Sequence, residues 1–165
     1  MILVTADLCD QCGADVQICR TLLRDFGAHF AFNGDIATIR CLRDNGLIRD
    51  TLRQPGHARV LVVDAGGAFD CALVGGDLGS HAVNNNWAGV VINGCVRDYA
   101  ELAVLPLGVR ALDVWPRRGT REGSGEANVP VSFGGVTFEP GHWLCADRDG
   151  LIVMQQRPWT ARKPA

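Results

Sequence analysis

Two short segments of the chain carry residues whose types and spacing suit chemistry on a small organic anion. Gly75-Gly76-Asp77-Leu78 stands directly before a predicted helix, so its backbone N–H groups could hold a carboxylate or phosphate at the positive end of the helix dipole. A glycine pair in this place is also typical of a plain turn. Arg97 can pair with a substrate carboxylate or carbonyl, and Asp98 can hold a hydrated cation such as Mg²⁺. Adjacent opposite charges are also common as solvated surface pairs, so this motif alone leaves both interpretations open.

The elements around these segments predict that both lie at one edge of a sheet. Residues 59–64 form an apolar run typical of a strand buried on both faces, residues 77–86 predict a helix, and residues 88–93 predict a second apolar strand. Strand–helix–strand units usually pair their strands in parallel. Ligands of such sheets bind at the carboxyl ends of the strands, which is where both segments fall.

The remaining pattern predicts a mixed α/β domain. A helix is expected to begin with Thr5 as its N-cap, with apolar residues at near-helical spacing as far as Leu23 and an interruption at Gly13. The other predicted elements are a strand at 36–41, a short helix at 47–52, a strand at 108–115, a polar loop at 116–128 and β-like segments between 129 and 154. We therefore expect one domain with a mixed sheet over residues 1–155 and a C-terminal tail over residues 156–165.

Composition narrows the class of partner. The 165 residues are 47% hydrophobic and 21% charged, which is ordinary for a globular protein with a sizeable core. A net charge of −2 lacks the basic excess that direct nucleic-acid binding needs. No stretch approaches the roughly 20 consecutive apolar residues of a membrane span. We expect a cytoplasmic protein that acts on a small substrate or a protein partner.

Cysteine usage favours reduced thiols. The seven cysteines are an odd, scattered set, and several stand in apolar strand-like runs. Cys9 and Cys12 have the spacing of a redox or zinc pair, but zinc would need a second ligand pair, and the four histidines are isolated from one another. The pair is therefore interpreted as structural.

Motifs spread along most of the chain resemble one known family. They are Leu8-Cys-Asp10, Phe26-Gly27, Cys41 to Asn45, Val60-Leu-Val-Val-Asp-Ala-Gly-Gly67, Trp87-Ala-Gly89, Asn93-Gly-Cys-Val-Arg-Asp98, Phe133-Gly-Gly-Val-Thr-Phe138 and Ala146-Asp-Arg-Asp-Gly150. Together, over roughly residues 5 to 155, they resemble the ribonuclease E activity regulator-like (RraA-like) and 4-hydroxy-4-methyl-2-oxoglutarate aldolase family.

The resemblance implies a fold, an assembly and two possible functions. It implies a swivelling β/β/α-type domain that forms a homotrimer, sometimes a dimer of trimers, with the site at a subunit interface. Some members resemble class II aldolases, which cleave 4-hydroxy-4-methyl-2-oxoglutarate to two pyruvates and decarboxylate oxaloacetate. Others bind ribonuclease E and inhibit RNA turnover without catalysis, and the fold alone does not separate the two.

Carried over by position, the resemblance also implies roles for the two segments. The substrate-binding loop falls on Gly75, Gly76, Asp77 and Leu78, the substrate-binding and catalytic arginine on Arg97, and the metal ligand on Asp98, with Mg²⁺ as the expected metal and Mn²⁺ as the alternative. The acidic Asp98 favours the aldolase branch.

One position departs from the aldolase pattern. The aldolases resemble a pattern of aspartate, twenty residues and Arg-Asp, in which the aspartate orients a catalytic water. Here that first position is Gly76, and Asp77 stands one residue late. Asp77 would have to swing in as the catalytic carboxylate, or activity would be weak. Glu101, one turn beyond Asp98, is either a supporting carboxylate of the site or a surface charge.

Three functional hypotheses follow. The first is a metal-dependent lyase, an aldolase with oxaloacetate decarboxylase activity. The alternative is a regulator that binds ribonuclease E, for which the basic loop of Arg117, Arg118 and Arg121 could supply partner contacts. Methyl transfer, suggested by the glycine turn at 64–67, is set aside because a strand and its turn explain those glycines.

Overall fold

Four parallel strands form the centre of the main sheet. The computed structural model describes residues 3–158. In it, β3 (Phe32–Arg40), β4 (Val60–Asp64), β6 (Gly89–Val96) and β7 (Gly108–Val114) lie side by side in parallel. The predicted pairing of the two apolar runs is confirmed, since β4 and β6 are neighbours throughout β4.

Shorter strands extend this centre and make the sheet mixed. They are β1 (Gln17–Ile18), β2 (Arg24–Asp25), β5 (Ala72–Val74), β8 (Glu126–Ala127), β11 (Trp143–Ala146) and β12 (Leu151–Met154). Two further strands, β9 (Val131–Phe133) and β10 (Val136–Phe138), lie outside this sheet. The order of the main sheet is β1-β12-β11-β3-β4-β6-β7-β2, with β5 paired to β6 and β8 paired to β3. β9 and β10 form a separate hairpin. The first half of β3 pairs antiparallel with β11 and the second half parallel with β4, so one long strand joins the two parts of the sheet.

Alternate side chains of the central strands are buried on opposite faces. Leu61 and Val63 pack in the cluster that contains helices α2 (Gly46–Leu52), α3 (Gly76–Asn84) and α4 (Tyr99–Leu102). Val60 and Val62 pack in the cluster that contains the β9–β10 hairpin. The period of two along each strand thus explains why these runs are continuously apolar. The resulting hairpin, sheet and helix layers confirm the predicted α/β class with a mixed sheet.

The predicted N-terminal helix is too long. Helix α1 (Thr5–Cys12) ends at Cys12, and Gly13 turns the chain with a φ of 52°. The segment after it forms β1 and β2, which pair with β12 and β7 at opposite edges of the sheet. Pairing with these edges overrides the helical spacing. The N-cap is Val4, because Thr5 instead binds Asp147 through its amide and hydroxyl at 2.7 and 2.6 Å.

Three further differences concern the region of the candidate site. Strand β6 runs to Val96 rather than Asn93, strand β5 was not predicted, and the polar loop contains β8. Most of the predicted tail, residues 159–165, lies outside the described residues. Among residues 3–158, no helix is both long and apolar enough to cross a membrane.

Candidate functional site

The two segments singled out in the sequence meet at the carboxyl ends of β5 and β6. These strands pair in parallel, with Ala72 beside Cys95 and Val74 beside Val96. The Arg97 amide donates to the Val74 carbonyl at 2.9 Å, so the pairing continues one step beyond the strands. This register places Gly75 directly opposite the Arg97-Asp98 dipeptide. The short strand β5 gave no sequence signal, because its three apolar residues follow an irregular loop.

The Asp98 carboxylate closes this edge of the sheet. Asp98 has a left-handed backbone (φ 58°, ψ 48°) and precedes α4, and its Oδ2 accepts a hydrogen bond from the Gly76 amide at 2.9 Å. A Cβ on Gly75 would stand 2.4 Å from the same oxygen, so the approach requires glycine there. Arg97 Nε lies 3.8 Å from Asp98 Oδ2, and both side chains are about one-third exposed, at 35% and 37%. They are open to a ligand as well as to each other.

Glu101 occupies the space beside Gly76. A Cβ on Gly76 would stand 1.9 Å from Glu101 Oε2 and 3.1 Å from Glu101 Cβ, so any larger residue at 76 would displace this carboxylate. Asp98 is the N-cap of α4 and Glu101 its third residue, so both carboxylates belong to the N-terminal end of this helix. Sequence reasoning left Glu101 between a supporting and a surface role. The sequence does contain a feature that favours the supporting role. It is the combination of a glycine at 76 with an acid three residues after Asp98.

A small cavity joins the predicted residues to a second set. Its lining is formed by Asn45, Ala72, Leu73, Val74, Gly75, Asp77, Leu78, Arg97, Asp98, Arg118 and Arg121. Outside it lies an open groove of about 670 Å³, which is lined by Arg97, Pro116, Arg117 and Arg118. All the predicted site residues except Gly76 line the cavity itself, and the Gly76 amide binds the lining residue Asp98. Sequence reasoning had not included Asn45, Arg118 or Arg121 in the site.

The basic loop is fixed to the sheet edge by its backbone. The Ala72 amide donates to the Arg117 carbonyl at 2.8 Å, and the Gly119 amide donates back to the Ala72 carbonyl at 3.2 Å. Beyond them the Thr120 amide donates to the Arg43 carbonyl at 2.8 Å. The loop therefore follows the protein's own strand ends, and its arginines are held at the cavity.

Buried Asp44 fixes the far end of the same loop. Its carboxylate accepts hydrogen bonds from the Thr120 hydroxyl at 2.7 Å and from the amides of Glu122, Gly123 and Gly46 at 2.7, 2.9 and 2.9 Å. Burial opposes ionisation of this carboxyl, but the four hydrogen bonds outweigh it and lower the pKa of Asp44 to about 2. Asp44 is therefore ionised throughout the physiological range.

The donor chemistry of the site fits a hydrated hard cation. The carboxylates of Asp98 and Glu101 both approach the Gly75-Gly76 pair, and Mg²⁺ commonly takes only one or two protein carboxylates with water as the remaining ligands. Between residues 3 and 158, no three His, Cys, Asp or Glu side chains form a group that could hold a metal by themselves. Cys9 and Cys12 are unbridged, as are the other five cysteines. Asp98 and Glu101 are thus the carboxylates of this site that could serve Mg²⁺ or Mn²⁺ as ligands.

Comparison with known proteins identifies relatives along nearly the whole chain. The family model described as "RraA-like: Aldolase/RraA" matches residues 5–153. A protein of Laribacter hongkongensis is 50% identical over 153 residues, covering 93% of this chain and 96% of its own length. One of Deinococcus radiodurans is 50% identical over 150 residues, covering 91% and 93%. Both carry the name "Putative 4-hydroxy-4-methyl-2-oxoglutarate aldolase".

Two solved structures superpose closely and carry different functional names. The RNA-processing inhibitor RraA from Thermus thermophilis has a TM-score of 0.94 and 39% identity, with 98% of each chain covered. A Geobacillus kaustophilus protein described as an S-adenosylmethionine:2-dimethylmenaquinone methyltransferase has a TM-score of 0.92 and 40% identity, covering 98% of this chain and all of the other. Proteins with this fold thus carry the names of an aldolase, a methyltransferase and an RNA-processing inhibitor. The fold does not decide among these functions, so the residues of the site have to be considered.

Proposed function

Because the chain belongs to the RraA-like aldolase family, we propose that it is a divalent-metal-dependent lyase that cleaves 4-hydroxy-4-methyl-2-oxoglutarate to two pyruvates. Decarboxylation of oxaloacetate would pass through the same pyruvate enolate and is proposed as a side activity. The observation that carries the proposal is the position of the Glu101 carboxylate, which fills the space beside Gly76. The proposal is that Glu101 of α4 takes the role of the acid that the aldolase pattern has at position 76.

The free amides of the α3 N-terminus would bind the substrate's C1 carboxylate. The first N–H groups of a helix have no partner within the helix. The Gly76 amide is already taken by Asp98, which leaves those of Asp77 and Leu78 for the ligand. Both residues line the cavity, and the helix dipole favours an anion there.

Arg97 would stabilise the negative charge that develops during cleavage. Its guanidinium lines both the cavity and the outer groove and can donate two hydrogen bonds to a planar oxygen pair. When the C3–C4 bond breaks, the electron pair moves onto the 2-oxo oxygen as an enolate, and a positive donor held beside that oxygen lowers the barrier. Arg97 is therefore assigned both binding and catalysis.

Asp98 and Glu101 would hold the metal and the catalytic water. A divalent cation supplies Lewis-acid polarisation of the 2-oxo group. Asp98 is assigned as its ligand. Glu101 is assigned to orient a water that removes the C4 hydroxyl proton, since its carboxylate lies beside position 76, which carries the acid in the aldolase pattern. Asp77, exposed at the cavity, is the second candidate for this proton transfer.

A homotrimer, alone or as a dimer of trimers, is proposed as the working assembly. Large apolar side chains near the site are exposed, among them Leu42 at 63%, Phe69 at 52% and Trp115 at 38%. Burial of such side chains against a second copy would be favourable. A cytoplasmic location stays a prediction from composition.

The second candidate function is a non-catalytic regulator that binds ribonuclease E. The similarity to the Thermus inhibitor favours it. The basic loop that this hypothesis would use for partner contacts instead lines the cavity, where its arginines would face a small anion. That arrangement supports the lyase as the first proposal.

Methyl transfer is not supported by the glycine turn at 64–67. Asp64 Oδ1 accepts hydrogen bonds from the Gly66 amide at 2.9 Å and from Asn93 Nδ2 at 3.0 Å. The hydrogen bonds of Asp64 thus account for this turn without a cofactor.

The decisive experiment measures pyruvate release from 4-hydroxy-4-methyl-2-oxoglutarate and from oxaloacetate, with Mg²⁺, with Mn²⁺ and with chelator. Asp98→Asn should lower kcat/KM by about 100-fold or more, because it removes a charged ligand from the metal. Asp10→Asn, on exposed helix α1, is the matched control and should behave as wild type. Absence of metal-dependent turnover in wild type would reject the lyase and leave the regulator as the better proposal.

A further inference from the structure

One wall of the cavity has no role in the reaction described so far. The C1 carboxylate, the enolate and the metal involve α3, Arg97 and α4. Asn45, Arg118 and Arg121 line the same cavity and take no part in those steps. The proposed substrate is a dicarboxylate, so its second carboxylate still needs a partner.

The two loop arginines are held in place but have no acidic partner of their own. Within residues 3–158 six salt bridges form, and neither Arg118 nor Arg121 takes part in any of them. Their loop is nevertheless fixed by the backbone contacts at Ala72 and by Asp44. A fixed loop presenting unpaired guanidinium groups is preorganised for an external anion.

The local charge favours an anion at this wall. Loss of water around Arg121, together with the positive charges of Arg118, Arg49 and Arg97, lowers its pKa, and Asp77 opposes this only in part. Like charges that repel one another in the free protein would be relieved by a bound carboxylate. Two neighbouring guanidinium groups can each donate paired hydrogen bonds to its oxygens.

Asn45 adds a buried polar group that lacks a partner. Its side chain is only 4% exposed, lines the cavity, and its Oδ1 has no hydrogen-bond partner among residues 3–158. This oxygen accepts hydrogen bonds and cannot pair with a carboxylate in its present orientation, but no hydrogen bond holds it there. A carboxamide can turn to present either nitrogen or oxygen, so it can serve a carboxylate or a hydroxyl group.

Resting on the proposed function, we propose that Arg118, Arg121 and Asn45 form a subsite for the distal carboxylate of the substrate. The subsite makes the protein selective for 2-oxo dicarboxylic acids over 2-oxo monocarboxylic acids of the same length. The α3 amides hold the C1 end and the loop arginines hold the far end, and the rest of the substrate lies in the outer groove, because the cavity of about 20 Å³ has room for roughly one water. None of these three residues takes part in bond cleavage, and their role is specificity.

A binding experiment tests the subsite without requiring turnover. Calorimetry would compare 2-oxoglutarate with 2-oxopentanoate, which has a methyl group in place of the distal carboxylate, in wild type and in the Arg118→Ala, Arg121→Ala double variant. We expect wild type to bind 2-oxoglutarate roughly 10- to 100-fold more tightly, the range for a charged hydrogen-bonded contact. The double variant should lose this preference while its affinity for 2-oxopentanoate is unchanged.

A kinetic experiment then places the subsite in the reaction. In 4-hydroxy-4-methyl-2-oxopentanoate a methyl group replaces the distal carboxylate. Its C4 hydroxyl loses a proton, the C3–C4 bond breaks to give acetone, and the enolate is protonated at C3 to give pyruvate. The double variant should lower kcat/KM for 4-hydroxy-4-methyl-2-oxoglutarate by about 10- to 100-fold, mostly through KM, and leave that of the monocarboxylate unchanged.

Matched variants and outcomes separate the two proposals. Arg53→Ala removes an exposed arginine at the end of α2 that lines neither the cavity nor the outer groove, and it should leave the preference intact. The double variant Arg118→Lys, Arg121→Lys should keep part of the preference, since lysine keeps the charge without the planar fork. Equal affinity of wild type for both ligands, no 2-oxoglutarate binding at millimolar concentration, or a preference that survives in the double variant would overturn the subsite. A preference lost in the double variant, without pyruvate release by wild type, would reject the aldolase and retain the subsite.

Discussion

At the scale of single residues, the site depends on which side chain occupies the space next to the α3 N-terminus. Gly76 leaves that space empty, and Glu101 fills it from α4 with its carboxylate 1.9 Å from where a Cβ would stand. The two positions exclude each other sterically, since a side chain at 76 and the present Glu101 conformation cannot coexist. An acid can therefore be supplied to this space from either position, and an acid at 76 would force Glu101 into another conformation.

This exclusion predicts the outcome of an exchange of residues. Glu101→Ala should lower kcat for pyruvate release by about 10- to 100-fold, because it removes the carboxylate assigned to the catalytic water. Gly76→Asp alone should also lower kcat, since its Cβ collides with Glu101. The double variant Gly76→Asp, Glu101→Ala should recover most of the activity that Glu101→Ala loses.

The comparison requires steady-state kinetics at saturating metal and a surface control. Glu139→Ala, at the end of the β9–β10 hairpin, removes an acid far from the cavity and should match wild type. A double variant no more active than Glu101→Ala would show that Glu101 acts through some other contact than the space beside Gly76.

At the scale of elements, the basic loop behaves as a part of the sheet edge. A polar, glycine-rich sequence with several arginines predicts a mobile surface loop, yet residues 117–120 follow the ends of neighbouring strands. The next part of the loop has no neighbouring strand to bind. There the buried carboxylate of Asp44 accepts the hydrogen bonds that the backbone of a strand would otherwise accept. The position of Arg118 and Arg121 thus depends on a residue outside their own loop.

Because of Asp44, the free energy of unfolding should decrease as the pH falls. Its folded-state pKa of about 2 lies below the ordinary value of 3.8, so its contribution is fully present above that ordinary value and is lost as the pH falls towards 2. Asp44→Ala should lower the free energy of unfolding at pH 7 by about 2 kcal/mol or more, and the difference from wild type should shrink between pH 4 and pH 2.

Urea unfolding at a series of pH values would measure this difference. Asp10→Ala, an exposed acid on α1, should stay within about 0.5 kcal/mol of wild type throughout. Asp44→Ala should also raise KM for the dicarboxylate substrate, because the loop that carries Arg118 and Arg121 is released. A stability difference that persists unchanged at pH 2 would show that Asp44 acts through packing rather than through its charge.

The elements differ in how far the sequence predicts them. The apolar runs of β4 and β6 predict buried parallel strands because burial on both faces leaves no room for polar residues. Local spacing wrongly extended α1 towards Leu23, because the partners of β1 and β2 lie more than 80 residues away in sequence. A separation of 76 residues likewise hides the contact of Asp44 with Thr120. Arg97 and Asp98 can be predicted as site residues because a charged pair follows the end of an apolar strand. Asn45 cannot, because its place in the cavity lining is evident only from the folded structure.

At the scale of the whole molecule, the site lies where the sheet edge meets an exposed apolar surface. Leu42 contacts the turn at Gly66, and the ion pair between Arg43 and Asp70 holds the neighbouring segment that bears Phe69. We call Leu42 and Phe69 the edge patch. Both are more than half exposed, at 63% and 52%, and stand next to the segments that carry Asp44 and Ala72. Association through this patch would place a second copy beside the cavity.

The proposed trimer therefore predicts that assembly and activity are lost together. Replacing both residues of the edge patch by glutamate should introduce like charges into the interface and give a monomer by light scattering, with kcat/KM reduced by at least about tenfold. Leu22→Glu, at a side chain that is 91% exposed, is the matched control and should remain a trimer. Circular dichroism would establish that the double variant is folded. A monomeric wild type at micromolar concentration would contradict the trimer, and a fully active monomeric variant would show that the site is complete within one chain.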